Sequence, residues 1–437
     1  MIPSQLPETA YAAVVALDWC NRQHAWAMST SASSRPQSGW LINTPEAIDH
    51  WAGEIAQAYP GGSIAVVLEQ NRGPVAAQLA KYAHLVLCPV HPSSLALYRK
   101  TFRPSGAKDD PSDATALLDL FFRHPDLCPP LKPDSVETRT LQFLVEDRRK
   151  FVDEQSRLIN RLTDQLKRFY PQILTWFGDI ATPLVADFLT RWPTLRDLKR
   201  ARQSTLRRFF YAHRVFDEDL VEKRLAAIAQ AVPAVNDEAV LRAGISAVRH
   251  LLAMLEQLRT CIADYNHQIA TLAKSHPDYE VMRSFPGAGD ALAPRLIAAL
   301  GTDRSRFPTA QALQNYTGIS PVVVRSGRQC WTHYRHACPR FVRQTIHEWA
   351  MHSIPYCQWA RDFYQQQRAR GKSTHVAVRA LAFKWLRILF RCWQDHTPYS
   401  DTRYQQALAK RQPTAQPSVQ IQWTPIAGFF KLTADYS

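Results

Sequence analysis

Tyr11-Ala-Ala-Val-Val-Ala-Leu-Asp18 is an unbroken apolar run that ends on a carboxylate. The same pattern recurs in Ile64-Ala-Val-Val-Leu-Glu69. Runs this short and rich in Val read as buried strands, and an acid closing such a strand is expensive unless it is paired or ligates a cation. Around them, residues 24–30 and 38–43 read as further strands and Pro45 to Tyr59 as a helix with Trp51, Ile55 and Ala58 on one face. Gly61-Gly62 breaks the chain before the second run, Gly73-Pro74 starts a helix, and residues 84–90 form another strand. Three consecutive strands followed by strand–helix–strand predict an α/β domain with an RNase-H-like order of elements.

Two more acids open the next helix, in Lys108-Asp-Asp-Pro-Ser-Asp-Ala114. Taken alone, Asp110 reads as an N-cap ahead of Pro111, and Asp113 as a first-turn acid favoured by the helix dipole. Taken with Asp18 and Glu69, they complete a set of four carboxylates in strand, strand, helix order. Such oxygens suit Mg²⁺ or Mn²⁺, the hard cations used to cut and join phosphodiesters. Lys100, Arg103 and Lys108 just upstream are placed to meet a phosphate backbone.

At 437 residues the chain is too long for one ordinary core. Its net charge of +15 calls for a polyanionic partner. That charge is uneven: residues 1–130 hold 9 Lys/Arg against 11 Asp/Glu, whereas residues 321–437 hold 17 against 5. The acids therefore lie on a near-neutral domain and the basic surface lies downstream. The eight cysteines are scattered with no CxxC pair, there is no signal-peptide pattern, and no apolar run approaches a membrane span. A reduced cytoplasmic location, on the nucleoid when acting, is the expectation.

From Pro133 the pattern becomes helical. Residues 136–170 and 238–274 carry leucines near 3–4 spacing, which predicts an antiparallel coiled-coil arm around a Pro- and Trp-rich middle. Phe285-Pro-Gly-Ala-Gly-Asp290 has the form of a helix-hairpin-helix turn, in which Gly287 and Gly289 would let backbone N–H groups approach a phosphate. A helix near 309–316, the strand-like Val322-Val-Val324 and helices over 339–353 and 374–394 complete the reading.

Ser326 sits between Arg325 and Arg328. A hydroxyl so placed can attack a phosphodiester while guanidiniums hold the phosphate, although composition alone would make this a Ser-Gly turn with two surface arginines. No histidine base adjoins it. The stretch Cys330-Trp-Thr-His-Tyr-Arg-His-Ala-Cys338 offers four zinc-ligand types, but the spacing is cramped and unlike paired knuckles, which argues against zinc. Trp331, Tyr334 and Arg335 there fit nucleic-acid contact better.

Ala16-Leu-Asp18-Trp, Leu68-Glu69-Gln, and His91-Pro with Ser105-Gly-Ala-Lys-Asp-Asp110-Pro-Ser-Asp113-Ala resemble one family's N-terminal domain. Ser284-Phe-Pro-Gly-Ala-Gly289, Tyr316-Thr-Gly-Ile-Ser-Pro321 and Arg325-Ser326-Gly327 resemble its C-terminal domain. The family is the DEDD transposases of insertion sequences, the one-ten group, described as bridge-RNA-guided recombinases. The resemblance runs from about residue 11 to 394. It implies a RuvC-like domain over 1–130, a helical coiled-coil linker and dimerisation region over 131–275 and a transposase domain over 276–395, which leaves a tail of unknown role over 396–437. It also implies a metal-binding tetrad of Asp18, Glu69, Asp110 and Asp113, and a nucleophilic Ser326 that forms a phosphoserine intermediate. The implied partners are donor and target DNA, an element-encoded guide RNA, and further copies of the chain in a dimer of dimers. Family active sites are composite, one subunit's RuvC-like domain meeting another's serine domain. Residues 171–235, the Cys330–Cys338 stretch and the tail fall outside the resemblance. Two other readings remain open: a Holliday-junction nuclease using metal-activated water, and a non-catalytic nucleic-acid-binding protein.

Overall fold

The computed structural model describes residues 11–30, 36–69, 73–102, 110–327 and 329–409. The chain divides into two compact units, one ending at Pro133 and one beginning at Asp134.

The first unit is built on β1 (Ala13–Asp18), β2 (Gln23–Thr30), β3 (Gln37–Ile42), β4 (Ile64–Leu68) and β5 (Leu85–Pro89). Its helices are α1 (Pro45–Ala58), α2 (Pro74–Leu79), α3 (Pro92–Phe102) and α4 (Asp110–Arg123). The sheet order is β3-β2-β1-β4-β5, with the first two junctions antiparallel and the last two parallel. Because successive side chains alternate across a strand, β1 and β4 feed two cores. Val15, Leu17, Val66 and Leu68 pack with Ile48, Trp51 and Ile55 of α1 and Leu79 of α2. Val14, Ala16, Ala65 and Val67 pack with Leu95 of α3 and with Ala114, Leu117 and Leu118 of α4. Both strands are covered on two faces, which is why they read as continuous apolar runs.

The second unit is helical except for one hairpin. Its frame is the antiparallel pair α5 (Val136–Phe169) and α11 (Glu238–Lys274). Phe151 meets Tyr265 edge-on at 5.3 Å, and Gly244 leaves room for the Phe169 ring. The segment between them, unread in the sequence, folds as α6 (Gln172–Trp176), α7 (Pro183–Arg191), α8 (Leu195–Lys199), α9 (Gln203–Ala212) and α10 (Glu218–Gln230). These short helices close a core of their own with Leu158, Leu162 and Leu166 of α5 and Leu251, Leu252 and Leu255 of α11. Neither long helix is therefore a two-stranded arm along its whole length; each lends one end to a helical bundle.

Beyond α11 come α12 (Tyr279–Arg283), α13 (Gly289–Leu300), α14 (Ala310–Tyr316), the hairpin β6 (Val322–Ser326) and β7 (Gln329–His333), α15 (Arg340–Ser353), α16 (Gln358–Ala369), α17 (Thr374–Gln394) and α18 (Asp401–Ala409). Their core is aromatic: Trp349, Trp385 and Trp393 are fully buried, with Phe285 edge-on to Trp349 at 5.3 Å. Asp278 anchors the far end, accepting from Arg304, from Trp393 Nε1 at 3.3 Å and from His396 Nδ1 at 3.0 Å. Among the described residues no helix is long and apolar enough to cross a membrane.

Candidate functional site

The register of the sheet decides where the strand-end acids go. Leu17 pairs with Leu68 in the parallel β1–β4 ladder, so Asp18 and Glu69 follow side by side at the carboxyl ends of neighbouring strands. Asp18 continues the alternation of Val14 and Ala16, which places it on the face covered by α4. Glu69 follows Ala65 and Val67 in the same way. On α4, Asp113 precedes Ala114 and shares the buried face of Leu117 and Leu118. Asp18 is 7% exposed and Asp113 only 1%, while Glu69 and Asp110 are half-buried.

A cation stands among these acids. Arg99 of α3 donates through Nη1 to Asp113 Oδ2. The hydrogen bond to Asp113 holds the guanidinium above its usual range, and the charges of Asp113, Glu69 and Asp18 add to this while burial opposes it. Of the four acids Asp113 is the one that contacts this guanidinium, and Asp18 and Glu69 add a longer-range attraction. The neighbouring Tyr98 fastens α3 to α4 from the other side, donating to Asp119 Oδ2 at 2.5 Å. Arg99 was not singled out from the sequence, where it is one base among several; only the packing of α3 against α4 aims it at the acids.

Among the described residues no three acidic, histidine or cysteine side chains stand close enough to hold one metal ion. Asp113 is paired with Arg99, and the described acids do not close into a cage. In chemistry the set fits a divalent cation: every donor is a carboxylate oxygen, and the space they face already accommodates positive charge.

Of the basic residues expected to meet nucleic acid in this unit, Lys100 is exposed on α3, and Arg103 and Lys108 lie outside the described residues.

In the second unit Ser326 ends β6 and pairs with Gln329 across the hairpin turn. Gly327, at φ +57°, supplies the left-handed backbone that so tight a turn requires. Ser326 and Arg325 are both exposed; Arg328 lies outside the described residues. On the face that Ser326 shares, Val324 opposes Trp331, and both are open to solvent at 44% and 38%. The sequence suggested a ligand-like Cys/His stretch where the structure has β7. Cys330 is an exposed strand residue, and Cys338 is packed beneath Gly318 and accepts from Arg343 at 3.3 Å. Arg335 braces the loop, donating to the Ser320 carbonyl at 3.2 Å and to Asn315 at 3.4 Å.

The glycine-rich turn joins α12 to α13, and its two glycines differ. A Cβ on Gly287 would meet the His352 carbonyl oxygen at 2.4 Å, so that glycine is required by packing against α15. Gly289, at φ +50°, has open space around it and keeps its backbone available.

Two family models match the chain, one in each half. A family model described as "Transposase", of the DEDD type from IS110 elements, matches residues 15–171. A second, described as the transposase IS116/IS110/IS902 family, matches residues 279–365. A protein of the IS117 mini-circle of Streptomyces coelicolor is 27% identical over 411 residues, covering 89% of this chain and 95% of its own length. The 44.8 kDa protein of insertion element IS116 from Streptomyces clavuligerus is 27% identical over 305 residues, covering 68% of this chain and 75% of itself. The 42 kDa protein of insertion element IS900 from Mycobacterium paratuberculosis is 27% identical over 306 residues, covering 68% and 74%. Two models of one family together span more than half of the chain, and the chain belongs to the IS110 family of insertion-sequence transposases, enzymes that act on DNA.

Proposed function

We propose that this transposase is an RNA-guided DNA recombinase that cuts and exchanges donor and target strands through Ser326. The observation that carries the reading is the placement of Asp18 and Glu69 side by side at the carboxyl edge of the sheet, on the face covered by α4, which carries Asp113. We take the first unit as a RuvC-like domain, the glycine turn as helix-hairpin-helix-like, and the active form as a homodimer assembling into a dimer of dimers. DNA as substrate follows from the family; the guide RNA follows from the resemblance of the ordered motifs.

In the proposed step, Ser326 Oγ attacks the phosphorus of a DNA phosphodiester. The Oγ–P bond forms, the bond from phosphorus to the leaving deoxyribose oxygen breaks, and the hydroxyl proton is lost as that oxygen gains one. The phosphoserine ester keeps the bond energy, so a second strand's hydroxyl can displace Ser326 without a fuel molecule. Arg325 beside Ser326 offers charge-assisted hydrogen bonds to the phosphate oxygens. Asp18, Glu69, Asp110 and Asp113 would hold Mg²⁺ or Mn²⁺, which when bound supplies Lewis-acid stabilisation of the attacking and leaving oxygens.

Ser326→Ala tests the reading. Incubation with donor DNA should give a covalent protein–DNA adduct with the parent protein and none with the variant. Strand cleavage at the parental rate by Ser326→Ala would instead favour a metal-activated water and a nuclease.

A further inference from the structure

At the foot of the Ser326 hairpin is a cluster of basic side chains, two of them guanidiniums, that the proposed chemistry does not use. Tyr334 follows β7 directly, and two guanidiniums lie over its ring. Arg379 Cζ is 3.8 Å from the ring centroid, and Arg343 Cζ is 4.9 Å from it. Arg343 and His347 are one turn apart on α15, as are His375 and Arg379 on α17. The imidazoles of His347 and His375 stand 5.6 Å apart, so the two helices run antiparallel here and bring four basic side chains together.

Among the described residues no carboxylate pairs with Arg343, Arg379, His347 or His375. Glu348, the acid next along α15, is held by Arg295 and Arg149. Arg379 Nε is buried without a hydrogen-bond partner. Burial pushes the Arg379 guanidinium below its usual range; the Tyr334 hydroxyl opposes this, and the Arg343 charge adds to it. The N-terminus of α15 contributes in the same sense: Pro339 provides no side-chain cap and the first turn holds no acid.

A ring quadrupole attracts each guanidinium weakly, but it does not cancel their repulsion or the loss of water at Arg379. An oxyanion would do both. Two planar forks and an uncapped helix end match the several acceptor oxygens of a phosphate. We propose that Arg343 and Arg379, set on Tyr334, form a binding site for a phosphodiester of the DNA strand on which Ser326 acts. The strand rise of ~3.3 Å per residue puts this site roughly 15 Å from the hairpin turn, along the same strand pair. It would hold the backbone a short way from the reacting phosphate and so set its register.

The site rests on the reading of this unit as the one that grips DNA, and the test keeps the two apart. Full-length protein is titrated with a single-stranded DNA and with an RNA of the same sequence over a range of salt. Arg379→Met and Arg343→Gln should each weaken DNA binding about tenfold and reduce the slope of log affinity against log salt by about 0.7. Ser326→Ala should abolish the adduct and leave that slope as in the parent, so failure of the serine chemistry and failure of this site give different results. Unchanged affinity and slope in both arginine variants would overturn the proposal, as would a slope lost on RNA and kept on DNA. Thermal melting without nucleic acid separates a packing role. Arg379→Met should melt at or above the parental temperature, since it removes an uncompensated charge. A lowered melting temperature with a parental salt slope would show that the arginines only brace Tyr334. If Arg379→Met does not fold, Arg343→Gln carries the same test alone.

Discussion

Arg99 donates to Asp113, and in that pair the carboxylate side chain is 2% exposed while the guanidinium is 26% exposed. The partner that is deeply buried is the acid, so removing the base strands a charge. Arg99→Gln is expected to lower stability by about 3 kcal/mol, the order seen when one member of a buried pair is deleted. Urea unfolding in the presence of a chelator measures this, and Mn²⁺ should restore part of the loss in the variant. Parental stability in the variant would mean that Asp113 has another counterion.

The acids should bind a divalent ion as a set. Asp18→Asn and Asp113→Asn are each expected to weaken Mn²⁺ binding, followed by calorimetry or by the spin resonance of the ion, by at least about tenfold. Both should leave DNA affinity within about twofold, because neither substitution removes a basic group. Unaltered Mn²⁺ binding in both variants would remove the tetrad from metal chemistry.

The two glycines of the α12–α13 turn should respond differently to alanine. Gly287→Ala combines a φ of +73° with a Cβ 2.4 Å from a carbonyl oxygen and should cost roughly 3 kcal/mol. Gly289→Ala meets only the conformational penalty, about 1 kcal/mol, and its effect should appear in DNA binding. Equal stability losses would mean that packing against His352 is not what demands Gly287.

Stability should fall on mild acidification. Burial lowers His276 below the usual 6.5, and burial with the charges of His375 and Arg379 lowers His347 likewise. A histidine with a depressed folded value binds its proton first in the unfolded chain. Its stabilising effect is complete above about pH 6.5 and is lost as pH drops below that value. Urea midpoints at pH 7.5 and pH 5.5 test this, with His347→Gln expected to reduce the difference. His213 works the other way: despite burial, its bond to Asp187 raises it, so that pair strengthens on acidification.

Much of the first unit can be read without coordinates. The apolar runs before Asp18 and Glu69 are β1 and β4, the Gly61-Gly62 break precedes β4, and Pro45 and Pro74 begin α1 and α2 where proline is tolerated. In the second unit the leucine spacing locates α5 and α11, yet their ends belong to different cores. The sequence could not show this, because the helices from Gln172 to Gln230 are short and their partners lie far along the chain. The hairpin was half legible. Val322-Val-Val324 announces a strand, but Gln329-Cys-Trp-Thr-His333 has no strong alternation and does not read as its partner.

Taken by itself, the sequence determined which side chains are available and the local conformation of each: carboxylates at strand ends and at a helix start, a serine before a glycine, and basic residues concentrated after Pro321. These follow from periodicity and turn chemistry, which act over a few residues. Only the tertiary structure decided that Arg99 pairs with Asp113, and that Arg343 and Arg379 meet over Tyr334. Those meetings depend on the register of one helix against another. That register is set by packing and long-range charge between segments distant in the chain, and no local pattern records it.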